Sequence, residues 1–130
     1  MKTERLLLIL IVLVASCNIE RETSVNLMTP PNYYIGEIDV ESTTMVGKEW
    51  LIKNSGRAKL KIDSIKLSCD CLKVMYDSTH QVKPNGILPF RVLIPTEKEP
   101  GDFYREIMIY GNFKNSPLVL TLEGSFVSTI

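Results

Sequence analysis

The 130-residue chain is poor in the groups that catalysis and nucleic-acid binding draw on. It has one histidine, His80, and neither a glycine-rich phosphate loop nor a nucleophile elbow is present. Basic and acidic side chains number 15 each and are spread along the sequence rather than clustered, so no net field steers a polyanion toward it. Aromatic residues, at 8%, are too scattered for a base-stacking platform. No window of a dozen residues repeats apolar positions at i, i+3, i+4 and i+7, which excludes amphipathic helices and leaves strands. The one long apolar run, Leu6 to Ala15, is about half of the roughly 20 residues that cross a bilayer.

That run follows Lys2 and Arg5 and ends in small residues, so residues 1–16 read as a signal peptide. Val14, Ala15 and Ser16 stand immediately before Cys17, a stretch that resembles the lipobox of bacterial lipoproteins. The resemblance implies cleavage before Cys17, acylation of its thiol and new amino group, and a place in the bacterial cell envelope, held to a membrane on its periplasmic or surface side. Two or three acyl chains, at about 0.8 kcal/mol per buried methylene, hold a protein where one chain would only visit. An anchor at Cys17 also accounts for the odd cysteine and leaves Cys69 and Cys71 as a pair.

Residues 17–34 show no sustained periodicity and contain Pro30 and Pro31, so they are expected to be the lipidated N-terminus and a tether. Residues 35–130 carry short apolar alternations broken by turn residues. Strands are expected at residues 35–42, 45–54, 60–68, 72–76, 87–95, 103–111 and 118–127, with turns at NSGR, DSTH, KPNG, EKEPG and KNSP. Leu60 and Ile62 differ in parity from Ile65 and Leu67, which predicts a bend or bulge near Asp63 and Ser64. Short strands about ten residues apart favour an all-β immunoglobulin-like antiparallel β-sandwich of about seven strands.

The run WLIKNSGRAKLKIDSIKLSCDCLKV, followed by VKPNG, FRVLIPTEKEPGDFYREIMIYGN and LTLEGSF, resembles the immunoglobulin-like domain-of-unknown-function family fifteen-seventy-three, akin to Hydin-type domains. The likeness covers about residues 36–127, with Asn54, Gly56, Ser68, Cys69, Cys71, Pro84, Gly101, Asn112 and Gly124 on the family pattern. Asp70 stands where the family usually has glycine, and Asn85-Gly86 follows Pro84 where Pro-Gly is more common. The resemblance implies fold and location and brings no activity with it.

For Cys69 and Cys71 three readings stay open: a local disulfide, two packed thiols, or a site for copper or disulfide exchange. Residues i and i+2 of an extended strand lie about 6.6 Å apart, so a bridge requires the backbone to fold at Asp70. An oxidising envelope favours the bridge, whereas zinc would want two more ligands. His80, beside Asp77 and Ser78, reads as a turn residue, and Asp63, Asp77, Glu97, Glu99 and Asp102 lack the array of a calcium loop. Trp50, alternating with Ile52, reads as core, and Tyr33 and Tyr34 as packing of the tether. The expectation is therefore a lipid-anchored, non-enzymatic binding or structural domain. Its partners are the membrane through Cys17 and an envelope protein or glycan, with no nucleic acid, metal or cofactor. The alternative is a periplasmic thiol protein that uses Cys69 and Cys71.

Overall fold

The computed structural model describes residues 21–97 and 99–128; the leader and Cys17 lie outside them. Among the described residues all regular structure is strand: β1 (Val25–Leu27), β2 (Asn32–Asp39), β3 (Met45–Asn54), β4 (Ile62–Leu67), β5 (Lys73–Met75), β6 (Ile87–Pro95), β7 (Gly101–Gly111) and β8 (Leu118–Val127). From residue 45 onward the expected strands recur with ends shifted by at most two residues. Turn chemistry explains that agreement. Asn85 in KPNG and Asn115 in KNSP take φ of 66° and 63°, a region asparagine tolerates better than most residues.

Two four-stranded sheets, ordered β1-β3-β6-β5 and β2-β8-β7-β4, pack face to face as an immunoglobulin-like sandwich. Trp50, Ile52, Phe90, Val92 and Ile94 point inward from the first sheet and meet Ile107, Ile109, Leu120, Leu122 and Phe126 from the second. Removing each such side chain from water contributes about 1.5–3 kcal/mol, which is why only one face of each strand is apolar. The predicted irregularity is present, since the β4–β7 register shifts between Ile62 and Ser64.

The N-terminal segment departs from expectation. Residues 23–34 belong to the sandwich instead of forming a tether: Thr23 bridges Phe113, β1 pairs with β3, and β2 begins at Asn32. A three-residue strand is too short to show an alternation, and its stability comes from main-chain bonds that side-chain patterning does not record. Pro30 supplies one such group, its carbonyl accepting the indole N–H of fully buried Trp50 at 3.1 Å. The chain changes sheets at Pro30 and Pro31 and then runs parallel to β8, so the second sheet is mixed, where an antiparallel one was expected. A bulge between Tyr34 and Gly36, with Gly36 at φ 95°, adjusts the register there.

Residues 21–24, the β3–β4 loop, residues 82–86 and the β7–β8 turn meet at one end of the sandwich, the near end. Asn54, wholly buried, ties it together. Its carboxamide accepts from Thr23 Oγ1 at 2.6 Å and donates to the carbonyls of Ala58 at 2.8 Å and Val82 at 2.9 Å. A Cβ on Gly56 would collide with Thr23 and Ser24, which is the local reason for glycine in that loop. The β2–β3, β4–β5 and β6–β7 connections form the far end.

Folding also sorts the charges that are spread along the sequence. Arg21, Arg57, Lys59, Lys61, Lys83 and Lys114 collect at the near end, and Asp39, Glu41, Asp70, Glu97, Glu99 and Asp102 in the far half. The even spread read from the sequence is thus a property of chain order and not of the folded surface, because antiparallel strands bring every second loop to the same end.

Candidate functional site

Cys69 and Cys71 lie in the β4–β5 connection and form a disulfide with Cα atoms 5.2 Å apart. The backbone folds at Asp70: Leu72 N–H donates to Cys69 O at 3.3 Å and Cys71 N–H points to Cys69 Sγ at 3.2 Å. Positive φ among described non-glycine residues occurs at Asn85 and Asn115, so Asp70 fills the glycine position of the family pattern without entering that region. Both cysteines are half-buried against the core, and Ser68 fastens the loop to β7 by accepting from Glu106 N–H at 2.9 Å and donating its own N–H to Glu106 O at 3.0 Å. A bridged pair offers no thiolate to a metal until it is reduced.

The Asp77–His80 turn is organised around one hydroxyl. Thr79 Oγ1 lies 2.6 Å from both Asp77 Oδ1 and His80 Nδ1, and Thr79 N–H donates to the same carboxylate at 2.9 Å. These Thr79 bonds, with a smaller contribution from the charge of His80, hold the Asp77 carboxyl below its ordinary range. The His80 side chain is 81% exposed and its partners lie within three residues of it, which is the geometry of a capped turn. Elsewhere Glu97 pairs with Arg105 at 2.9 Å, Asp102 accepts from Ser125, and Asp63 sits in the β4 irregularity. Among the described residues no three His, Cys, Asp or Glu side chains converge on one point.

A different surface emerges from strand register. Tyr34 of β2, Glu123 of β8 and Tyr104 of β7 are direct neighbours across the second sheet, and all three side chains face outward. Tyr34 is 64% exposed and Tyr104 54%, with Val119 nearby on the same face. Two strand spacings place the tyrosines roughly 10 Å apart on a rigid plane, with a carboxylate between them. The sequence draws attention to Tyr34 but not to Tyr104, whose alternation with Phe103 and Arg105 resembles that of any strand; only the β7–β8 register joins the two. Tyr33 points the other way and lies beneath Lys48 Nζ at 4.2 Å, closing the side of the core beside Trp50.

Residues 29–126 match the profile of the family described as "Protein of unknown function (DUF1573)". The chain belongs to this family. The DUF1573 fold is also recognisable in solved structures. A protein of unknown function from Porphyromonas gingivalis W83 superposes with TM-score 0.68 at 16% identity, over 83% of this chain and 50% of that one. A family 123 glycoside hydrolase from Clostridium perfringens gives TM-score 0.62 at 6% identity over 85% of this chain and 28% of its own. WR4, an MSP family member from C. elegans, gives 0.51 at 13% identity over 79% of this chain and 99% of its own. At such identities the likeness shows the fold alone, and this chain spans about half the length of the Porphyromonas protein. No curated protein matches the sequence.

Proposed function

We propose that this chain is a lipid-anchored protein of the bacterial cell envelope whose sandwich is a non-enzymatic binding module. The leader and the Val-Ala-Ser-Cys stretch ending at Cys17 support the anchor. The observation that carries the binding role is the outward strip Tyr34, Glu123, Tyr104, where exposed aromatic rings stand in fixed register on a sheet. Tyrosine combines a large apolar area with few rotatable bonds and a polar tip, so ordering it against a partner costs little. An envelope protein or a glycan would stack on the rings and hydrogen-bond to Glu123.

Photocrosslinking in intact cells from positions 106 and 119, on the same outer face as the two tyrosines, compared with position 73 on the other sheet, tests this reading. Capture confined to the tyrosine face and lost in the Tyr34→Ser/Tyr104→Ser variant supports it. Equal capture from all three positions contradicts it.

The bridged pair favours a second reading, a protein that exchanges disulfides through Cys69 and Cys71. Changing both cysteines to serine separates the two. The binding role predicts unchanged capture, and the exchange role predicts its loss.

A further inference from the structure

We infer that the near end of the sandwich is a docking surface for the anionic phospholipid headgroups of the membrane that holds the chain; this rests on the lipid-anchor reading above. Asn112 builds the surface. Its carboxamide accepts the backbone N–H of Lys61 at 2.7 Å and donates to the carbonyls of Lys59 at 2.8 Å and Arg21 at 3.1 Å. One side chain thereby gathers the backbones of three cationic residues, and Arg57 joins them along a groove of about 560 Å³ that also includes Asp63, Gln81 and Pro84. Lys83 and Lys114 extend the same end.

Holding like charges together opposes folding unless they face a counter-charge, and here the opposing carboxylates are few. They are Asp63 in the groove, Glu22 on the entering segment, Asp77 farther along the β5–β6 connection, and Glu20 outside the described residues. All the cations named are exposed.

Chain length selects the occupant. From Cys17 to Arg21 the chain can span at most about 14 Å, since an extended residue advances roughly 3.5 Å. Thr23 is already fixed to Asn112 and Phe113. An acylated Cys17 therefore brings this end, and no other, against the headgroups, within the reach of a surface potential that decays over about 8 Å. Each lysine or arginine placed there raises membrane partitioning about fivefold. Acyl chains moor the protein, and the basic end sets its tilt so that the tyrosine face stands upright to the bilayer.

The test is amine footprinting of the mature protein reconstituted into vesicles. On vesicles with about one third anionic phospholipid, Lys59, Lys61 and Lys114 should be acylated at least about fivefold more slowly than on neutral vesicles, while Lys66 and Lys73 react equally on both. About 0.5 M salt should abolish the protection, and Lys59→Gln/Lys61→Gln should weaken it at Lys114. Equal rates on both vesicle types would overturn the proposal. So would the same protection produced by inorganic phosphate without vesicles, which would mark a site for a free anion. The mass of the mature chain reports acylation of Cys17 separately. If Cys17 is bare, the soluble chain is added to the same vesicles: protection at the near end then overturns the anchor alone, and its absence overturns both.

Discussion

The two ends of the sandwich are built on opposite plans. The near end is cationic and fastened by carboxamides: Asn54 and Asn112 between them bond residues 21–24, the β3–β4 loop and residue 82. The far half is anionic and fastened covalently, by the Cys69–Cys71 bridge in the β4–β5 connection. Its cations include Lys48, Lys66, Lys73 and Arg105, the last half-buried beside Phe103 and paired with Glu97, so this half is acidic on balance and not free of positive charge. A buried amide distributes its bonds over several segments, so it can hold three loops in one arrangement; a bridge two residues long shapes only its own turn. The near end is therefore expected to be rigid as a unit and the far end loop by loop.

Breaking the near end should have the largest effect. Asn54→Ala leaves Thr23 Oγ1 and the Ala58 carbonyl without this partner and removes one of the two bonds to the Val82 carbonyl, which keeps the Leu60 N–H, and about 3 kcal/mol of stability should be lost in urea unfolding. Opening the far end should cost less. Cys69→Ser/Cys71→Ser relieves a closed loop of three residues, worth about 1.5 kcal/mol on the chain-entropy account, with exchange changes confined to residues near the β4–β5 connection. The outer face lies between the ends and contributes least to folding. Tyr34→Ser/Tyr104→Ser should move stability by less than about 0.5 kcal/mol while abolishing capture.

Smallest of all is the effect of pH on the Asp77 turn. Its carboxyl is depressed by the Thr79 bonds, so their contribution is present above the ordinary aspartate range and fades as pH falls through the lowered value. The Thr79 amide resonance should shift over that acidic interval with no change in global unfolding; the absence of any shift there would contradict it.

Much of this was legible in the sequence, and the misses share a cause. Strands such as residues 45–54 and 87–95 announce themselves because one face must avoid water, and the Ile62–Ser64 irregularity shows as a break in parity. Residues 23–34 show nothing, because β1 is held by main-chain bonds and Pro30 contributes a carbonyl to Trp50. The charged ends are equally silent: Arg21, Lys59 and Lys114 are far apart in sequence and meet only through Asn112 and the β7–β8 turn. Side-chain pattern records burial, while register and loop convergence decide which exposed residues become neighbours.

The height of the folded layer above a bilayer tests the account most directly. Neutron reflectometry of the acylated protein on a supported anionic membrane should find protein density beginning within about 14 Å of the headgroups, the reach of residues 17–21. A hydrated gap of about 40 Å or more, of the order an extended spacer running to residue 34 would open, would contradict it.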